Sequence, residues 1–366
     1  MDSLREQGDP LADQVVADLF AAGSVSAVNS LMRMLAENDQ PPADSLPQNV
    51  KDFLAASAAL PAWADADQIR KGEEVFWKYG PRAVAMLVTY ALPFCYLGAK
   101  GVQVLALTAR LYTNPQRRII ETAQMVVDVM SPGGLGPAGA GIRTAQRVRL
   151  MHAGVRYQIL HSGQWNPAWN HPVNHEDQVG TLAAFSWVTV DGLRRLGTPL
   201  TDEEGEAYIH VWKVVGHLLG IPDEALPASY ADAGDMVAAI ARRQFAACPE
   251  GQMMMRALVQ MIQDSLPGNL LDAAPALLTR YLLGDRQADM LGVSPSNWEK
   301  LLLLPLTGWN LAEGDVLDHS AAASRLMEIF SQSLIRGFVW VERGGNKPAF
   351  SIPTAMRETW GVDWVA

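Results

Sequence analysis

Residues 201–222 read TDEEGEAYIHVWKVVGHLLGIP, a helix with both of its ends written into it. Thr201 with Glu204 three residues on has the form of a capping box, in which each side chain serves the other residue's backbone amide. Tyr208, Trp212 and Val215 follow at helical spacing, so they share one face and point to a core. The helix runs to about Leu219, where Gly220 and Pro222 close it.

The same punctuation recurs on either side. Asp9-Pro10 and Asn114-Pro115 each pair a capping residue with a proline in the first turn. Asp65 opens another helix, expected to end at Gly80-Pro81. Further helices are expected at about 229–247, 250–264, 271–283, 295–303 and 319–336. No run alternates apolar with polar residues as a half-buried strand would, so the expected fold class is all-α, one large helical domain. Asn38 to Gln48 reads as a polar, proline-bearing loop. It divides an N-terminal arm (1–48) from a core (49–227), with a helical C-terminal part (228–366) packed on that core.

Composition narrows the function. The chain of 366 residues is 49% hydrophobic and 19% charged, enough to bury a sizeable core. Its net charge is −10, and its densest basic cluster, Arg143 to Arg156, is interrupted by apolar residues, which argues against nucleic acid as a partner. Two cysteines, Cys95 and Cys248, are too few for an iron–sulfur cluster or a cysteine-rich zinc site and suit a reducing compartment. The first residues, MDSLREQGDP, show no leader, so a cytoplasmic protein is expected. Ala83 to Ala99 is free of charge, but Pro93 interrupts it, and Arg82 and Lys100 bound it; a buried core helix pair is expected there rather than a membrane span.

Between about Ile142 and Leu160, the residues Val148, His152, Val155 and Ile159 fall on one helical stripe. A histidine inside an apolar seam must satisfy its ring nitrogens, either through a neighbouring polar group or through a metal plus one hydrogen bond. From spacing alone the first is commoner. Arg147, Arg149 and Arg156 share this helix, and no acid lies between Asp128 and Glu176, so the guanidinium groups look unpaired. An apolar seam with a central histidine and free cations suits a flat apolar ligand with carboxylate tails, as haem is. On the preceding helix, Pro115 to Met130, Arg118 and Thr122 lie four apart on one face.

The runs GVQVLALTARLYTNPQRRIIETAQMVVDVM (101–130), RVRLMHAGVRYQI (147–159), HPVNHEDQVGTLAAFSWVTVDGLRRLG (171–197) and YIHVWKVVGHLLGIP (208–222) resemble the latex-clearing protein and MpaB-type oxygenase family. The resemblance spans about Leu60 to Pro227, and its most specific parts are R-x-x-x-T at Arg118–Thr122 and H-A-x-x-R at His152–Arg156. It implies an all-α fold with a globin-like helical core. It further implies haem b, with His152 as the proximal iron ligand and Arg118 and Thr122 near the haem. Where some members carry an iron-binding lysine, this chain has Glu121. Where they carry a distal acid, it has neither Asp nor Glu between Glu74 and Glu121, and Gln103 is the nearest polar substitute.

Other constellations are weaker. Gly134, Gly136 and Gly139 match G-x-G-x-x-G, but no strand precedes them and no acid follows to hold a ribose, so a flexible helix–helix connector is expected. His171, His175, Glu176 and Asp177 could hold a metal, yet Asn174 or His175 also begins a long helix, where acids favour the first turn. His210 and His217 are two helical turns apart, too far for one ion.

The expected function is therefore a haem b-dependent oxygenase or oxidase acting on an apolar small organic substrate with dioxygen. His152 would ligate iron, Arg118 and Thr122 would serve catalysis and haem binding, and Arg156 would take a haem carboxylate. Electrons would come from an external donor, and residues 228–366 offer a surface for a homo-oligomer. The alternative is a haem-binding or helical interaction protein, a sensor or carrier without turnover; a further one places a non-haem metal at His171, His175 and Asp177.

Overall fold

A computed structural model describes residues 1–22, 46–108, 115–137, 139–266, 271–295, 323–331 and 333–334, with the backbone alone for 115–120. The fold is all-α, as the sequence implies. No strand occurs among the described residues, where Gly98 and Phe245 form an isolated bridge. The helix expected at 295–303 and the greater part of the 38–48 loop lie outside the described residues, whereas 323–331 is helical within the expected 319–336.

Two helices form the spine. The first, α4 (Ala66–Met86), is capped by Asp65, whose carboxylate accepts from the amides of Asp67 and Gln68 at 2.8 and 3.0 Å. It does not stop at Gly80-Pro81. The rod continues through Pro81 to Met86, opens into a π turn at Leu87–Ala91 and resumes as α5 (Leu92–Tyr96). Pro81 removes one backbone donor, but Gly80, Pro81 and Ala83 to Met86 are buried, and that packing outweighs the lost bond. Pro93 is the second residue after the π turn, in the first turn of α5, where a missing N–H is tolerated. The charge-free stretch is thus buried as one interrupted rod rather than a helix pair. No helix among the described residues is long and apolar enough to cross a membrane.

The second spine helix is α11 (Asp202–Leu218). Its capping box is complete, Glu204 N–H donating to Thr201 Oγ1 at 3.1 Å and Thr201 N–H to Glu204 Oε2 at 2.8 Å. At its far end Gly220 takes φ +83°, with Gly220 N–H bonded to His217 O and Ile221 N–H to Gly216 O, a Schellman closure. Tyr208, Trp212 and Val215 are buried as their spacing predicts. α11 lies along α4, and Gly72 makes the close approach feasible: a Cβ there would come within 2.6 Å of Ala207 O and of Val211 Cγ2.

Around this spine pack α1 (Asp2–Arg5), α2 (Pro10–Ala21), α3 (Gln48–Ala56), α6 (Val102–Thr108), α7 (Pro115–Met130), α8 (Gly141–His161), α9 (His175–Phe185) and α10 (Trp187–Arg195). α12 (Tyr230–Gln244), α13 (Pro249–Ser265), α14 (Ala274–Leu283) and α15 (Asp285–Met290) follow in chain order. The long helix expected from His175 is broken at Ser186 (φ −97°, ψ −85°), which separates α9 from α10. The main core holds Phe76, Met86, Tyr208 and Trp212, while α2, α3 and the back of α8 enclose a second cluster around Val16, Phe53, Leu150 and Ala153.

The described part of the α7–α8 connector is closely packed. A Cβ on Gly141 would come within 2.7 Å of Gly134 O and 3.0 Å of Val129 Cα. Glu73 on α4 holds the connector by accepting from Gly133 N–H at 2.9 Å.

Candidate functional site

α7 and α8 are neighbours in space, so the two motifs of the sequence are brought onto adjoining helices. Asp128 on α7 joins them: its carboxylate accepts from Thr144 Oγ1 on α8 and from Gln124 Nε2, each at 2.7 Å. Asp128 and Thr144 are both buried, so the tie is shielded from water. α8 also packs on α2, α6 and α11.

His152 is half-buried in the middle of α8. Ile159 of its stripe is buried, while Val148 and Val155 are half-buried, as are Met151 beside them and Val104, Leu105 and Leu107 on α6. The stripe of α8 that carries His152 is therefore apolar and only partly covered.

The guanidinium groups beside His152 are not unpaired. Arg149 donates from Nε and Nη2 to the Asp9 carboxylate, and Arg156 donates from Nε to Asp13 Oδ1 at 2.7 Å and from Nη1 to Val173 O at 3.2 Å. The acids arrive from the N-terminal arm, about 140 residues upstream, which is why the local sequence shows no counter-charge. Arg156 is only 1% exposed, yet its Nη2 has no hydrogen-bond acceptor among the described residues. Arg147, on another side of α8, faces the charges of Asp128 and Glu121, and burial lowers its pKa.

Thr122 and Glu121 are half-buried on α7. Arg118 sits one turn earlier on the same helix, and its side chain lies outside the described residues. Gln103 on α6 is buried and donates from Nε2 to Ala99 O and to Glu250 Oε2 on α13, both at 3.1 Å. The fold therefore supplies a carboxylate next to Gln103 from 147 residues away, which no inspection of the local sequence could find.

The group at 171–177 is a capped helix start tied into ion pairs. Asn174 caps α9 by accepting from Asp177 N–H at 2.9 Å. Glu176 pairs with Arg5 and Arg243, and Asp177 with Arg5 at 2.8 Å, so these carboxylates already hold cations. Burial lowers the pKa of both His171 and His175 and keeps them neutral. Among the described residues no three metal-ligating side chains converge. His210 and His217 flank Trp63, each with ring centroids 6.0 Å from it; His210 Nε2 accepts from Asp65 N–H, and His217 Nδ1 meets Asp223 at 2.7 Å. Both cysteines are free, and burial pushes the Cys95 thiol up to about 12, so it stays protonated.

A surface cavity of about 560 Å³ lies elsewhere, bordered by Asp2, Arg5, Lys100, Asn170, Arg243 and Gln244. Its lining side chains are polar or charged, and none of them is a candidate site residue of the sequence.

Residues 75–311 match the family described as ER-bound oxygenase mpaB/B'/Rubber oxygenase, catalytic domain. A rubber oxygenase of Streptomyces sp. (strain K30) is 27% identical over 303 residues, covering 78% of this chain and 70% of that protein. The solved structure of latex clearing protein LCP in the closed state superposes with a TM-score of 0.74 at 23% identity, over 90% of this chain and 91% of that one.

Proposed function

The chain belongs to the ER-bound oxygenase mpaB/B' and rubber oxygenase catalytic-domain family and is an oxygenase, and we propose that it uses haem b, with His152 as the proximal ligand, to act on an apolar organic substrate with dioxygen. The observation that carries this reading is the α8 face: a half-buried imidazole on an apolar stripe, with a buried guanidinium one turn away that keeps one donor unused. That donor set fits haem. A neutral imidazole suits the iron, apolar walls suit the macrocycle, and a spare N–H suits a carboxylate. The haem, when bound, supplies activation of dioxygen.

The chain's own residues have separable tasks. His152 would hold and orient the group, and Arg156 Nη2 would take one haem carboxylate while Nε stays with Asp13. Arg118 and Thr122, one turn apart on α7, would serve the chemistry, the arginine as a fixed positive charge and the threonine as a hydroxyl donor. Val104, Leu105 and Leu107 of α6, with Met151 and Val155 of α8, exclude water and favour a hydrocarbon substrate. An external electron donor, the division of the chain at 48 and 227, a cytoplasmic location and homo-oligomer formation through 228–366 complete the proposal.

The test is an absorption spectrum. The purified protein should be red, with a Soret band and about one haem per chain, and His152→Ala should lose the band or change its ligation pattern. A colourless, iron-free protein after haem-supplemented expression overturns the reading.

A further inference from the structure

The N-terminal arm grips α8 at two points, Arg149 and Arg156, which bracket His152 along the helix. Asp9 caps α2 by accepting from Ala12 N–H at 3.3 Å while its two oxygens take Arg149. Asp9 N–H in turn donates to Asp13 Oδ2 at 3.1 Å, and Asp13 Oδ1 takes Arg156. The two carboxylates are therefore fixed to one another through the first turn of α2 before they meet α8. Arg149 and Arg156 precede and follow His152 by three and four residues, within about 60° of it around the helix and roughly 10 Å apart along the axis.

The fit leaves little slack. Asp9 is 2% and Arg156 1% exposed, and two glycines close over the pairs. A Cβ on Gly8 would come within 2.9 Å of Asp13 Oδ2 and 3.2 Å of Arg156 Cδ, and one on Gly220 within 2.7 Å of both Arg149 Cζ and Asp9 Oδ2. Two charge-assisted attachments, one above and one below a residue, hold the helix against rotation about its axis and against tilt. Apolar contacts of α2 with Leu150 and Ala153 give α2 affinity for α8 but are less directional than the ion pairs.

We propose that Asp9 and Asp13 are positioning residues, a two-carboxylate clamp that sets the rotation of α8 and thereby the aim of the His152 imidazole. The clamp rests on the reading of His152 as the ligand, and it adds to that reading a segment outside the family match: residues 75–311 include both arginines and the histidine but neither aspartate.

The test uses the full chain with Asp9→Ser, Asp13→Asn and Asp13→Glu. Serine keeps the helix cap and asparagine keeps the acceptor for Asp9 N–H, so each removes a charge with little other change. Asp13 is one-third exposed, which keeps Asp13→Asn foldable if Asp9→Ser is not. The first readout is the ring carbon–proton NMR signal of His152 in the unloaded protein, identified by its loss in His152→Ala. The second is the rate at which haem leaves the loaded protein. The clamp predicts that Asp13→Asn shifts or broadens the His152 signal while His210 and His217 stay put. It also predicts that haem loss accelerates by about tenfold or more and that Asp13→Glu returns both readouts toward wild type. An unmoved His152 signal in Asp13→Asn overturns it. A wild-type chain that takes up no haem removes the ligand reading and leaves the NMR signal to decide the clamp.

Discussion

Thr144 donates a 2.7 Å hydrogen bond to Asp128, and this buried contact fixes the helix that carries Thr122 against the helix that carries His152. Thr144→Val keeps the shape and removes the donor, leaving one carboxylate oxygen desolvated without it. The expected cost is about 1–3 kcal/mol, read as a lower urea midpoint with an unchanged slope.

Gly72 is a point of close approach between α4 and α11. A methyl group at this position meets backbone, Ala207 O at 2.6 Å, which cannot turn aside as a side chain tip would. Gly72→Ala should therefore cost about 1–3 kcal/mol through overpacking, despite the gain in helix propensity. Thermal unfolding of the two proteins checks the sign.

Glu73 is buried beneath the α7–α8 connector, and desolvation raises its pKa, against the pull of the Gly133 and Gly134 amides. The folded chain thus holds this proton more tightly than the unfolded chain does. Its contribution is fully present below the ordinary glutamate pKa and is lost as pH rises through the raised one. Glu73→Gln, which keeps an acceptor for the connector, should be more stable than wild type at neutral pH. The advantage should shrink as pH falls toward the ordinary glutamate value. Unfolding curves across that range would refute the assignment if the difference between the two proteins were independent of pH.

On the proposed function, Thr122→Val and Arg118→Ala should separate cofactor binding from turnover. Both variants should still take up haem, because His152 is untouched. Their oxygen consumption should fall by about tenfold or more, the scale of a lost donor at a developing charge. Full activity in both variants would remove these residues from the chemistry.

Thr201→Ala breaks the reciprocal cap of α11. The expected loss is about 1 kcal/mol, with Thr201→Ser recovering most of it, measured by chemical denaturation.

Local signals reached as far as local physics decides. The capping box at Thr201 and Glu204, the prolines at 10 and 115, and the closure at Gly220 each act within a few residues, so the sequence carries them openly. Pro81 misled because a stop signal is a local preference, and the burial of Gly80, Pro81 and Ala83 to Met86 overrides it from outside the segment. The site divides the same way. The apolar stripe of α8 is a matter of spacing and was legible. The partners of Arg149 and Arg156, and the carboxylate beside Gln103, come from remote segments of the chain. Only the fold makes them neighbours.

The π turn at Leu87–Ala91 has a consequence for how this rod is used. One extra residue in a helical turn advances every later side chain by about 100° around the axis. The rod therefore serves as two walls facing different ways, one built for α11 before the turn and one for α9 and α13 after it. Deleting a single residue there would leave an unbroken helix and swing Phe94 and Tyr96 away from the partners they now meet. The interruption works as a gear tooth, and its loss would put the two halves of the core out of mesh.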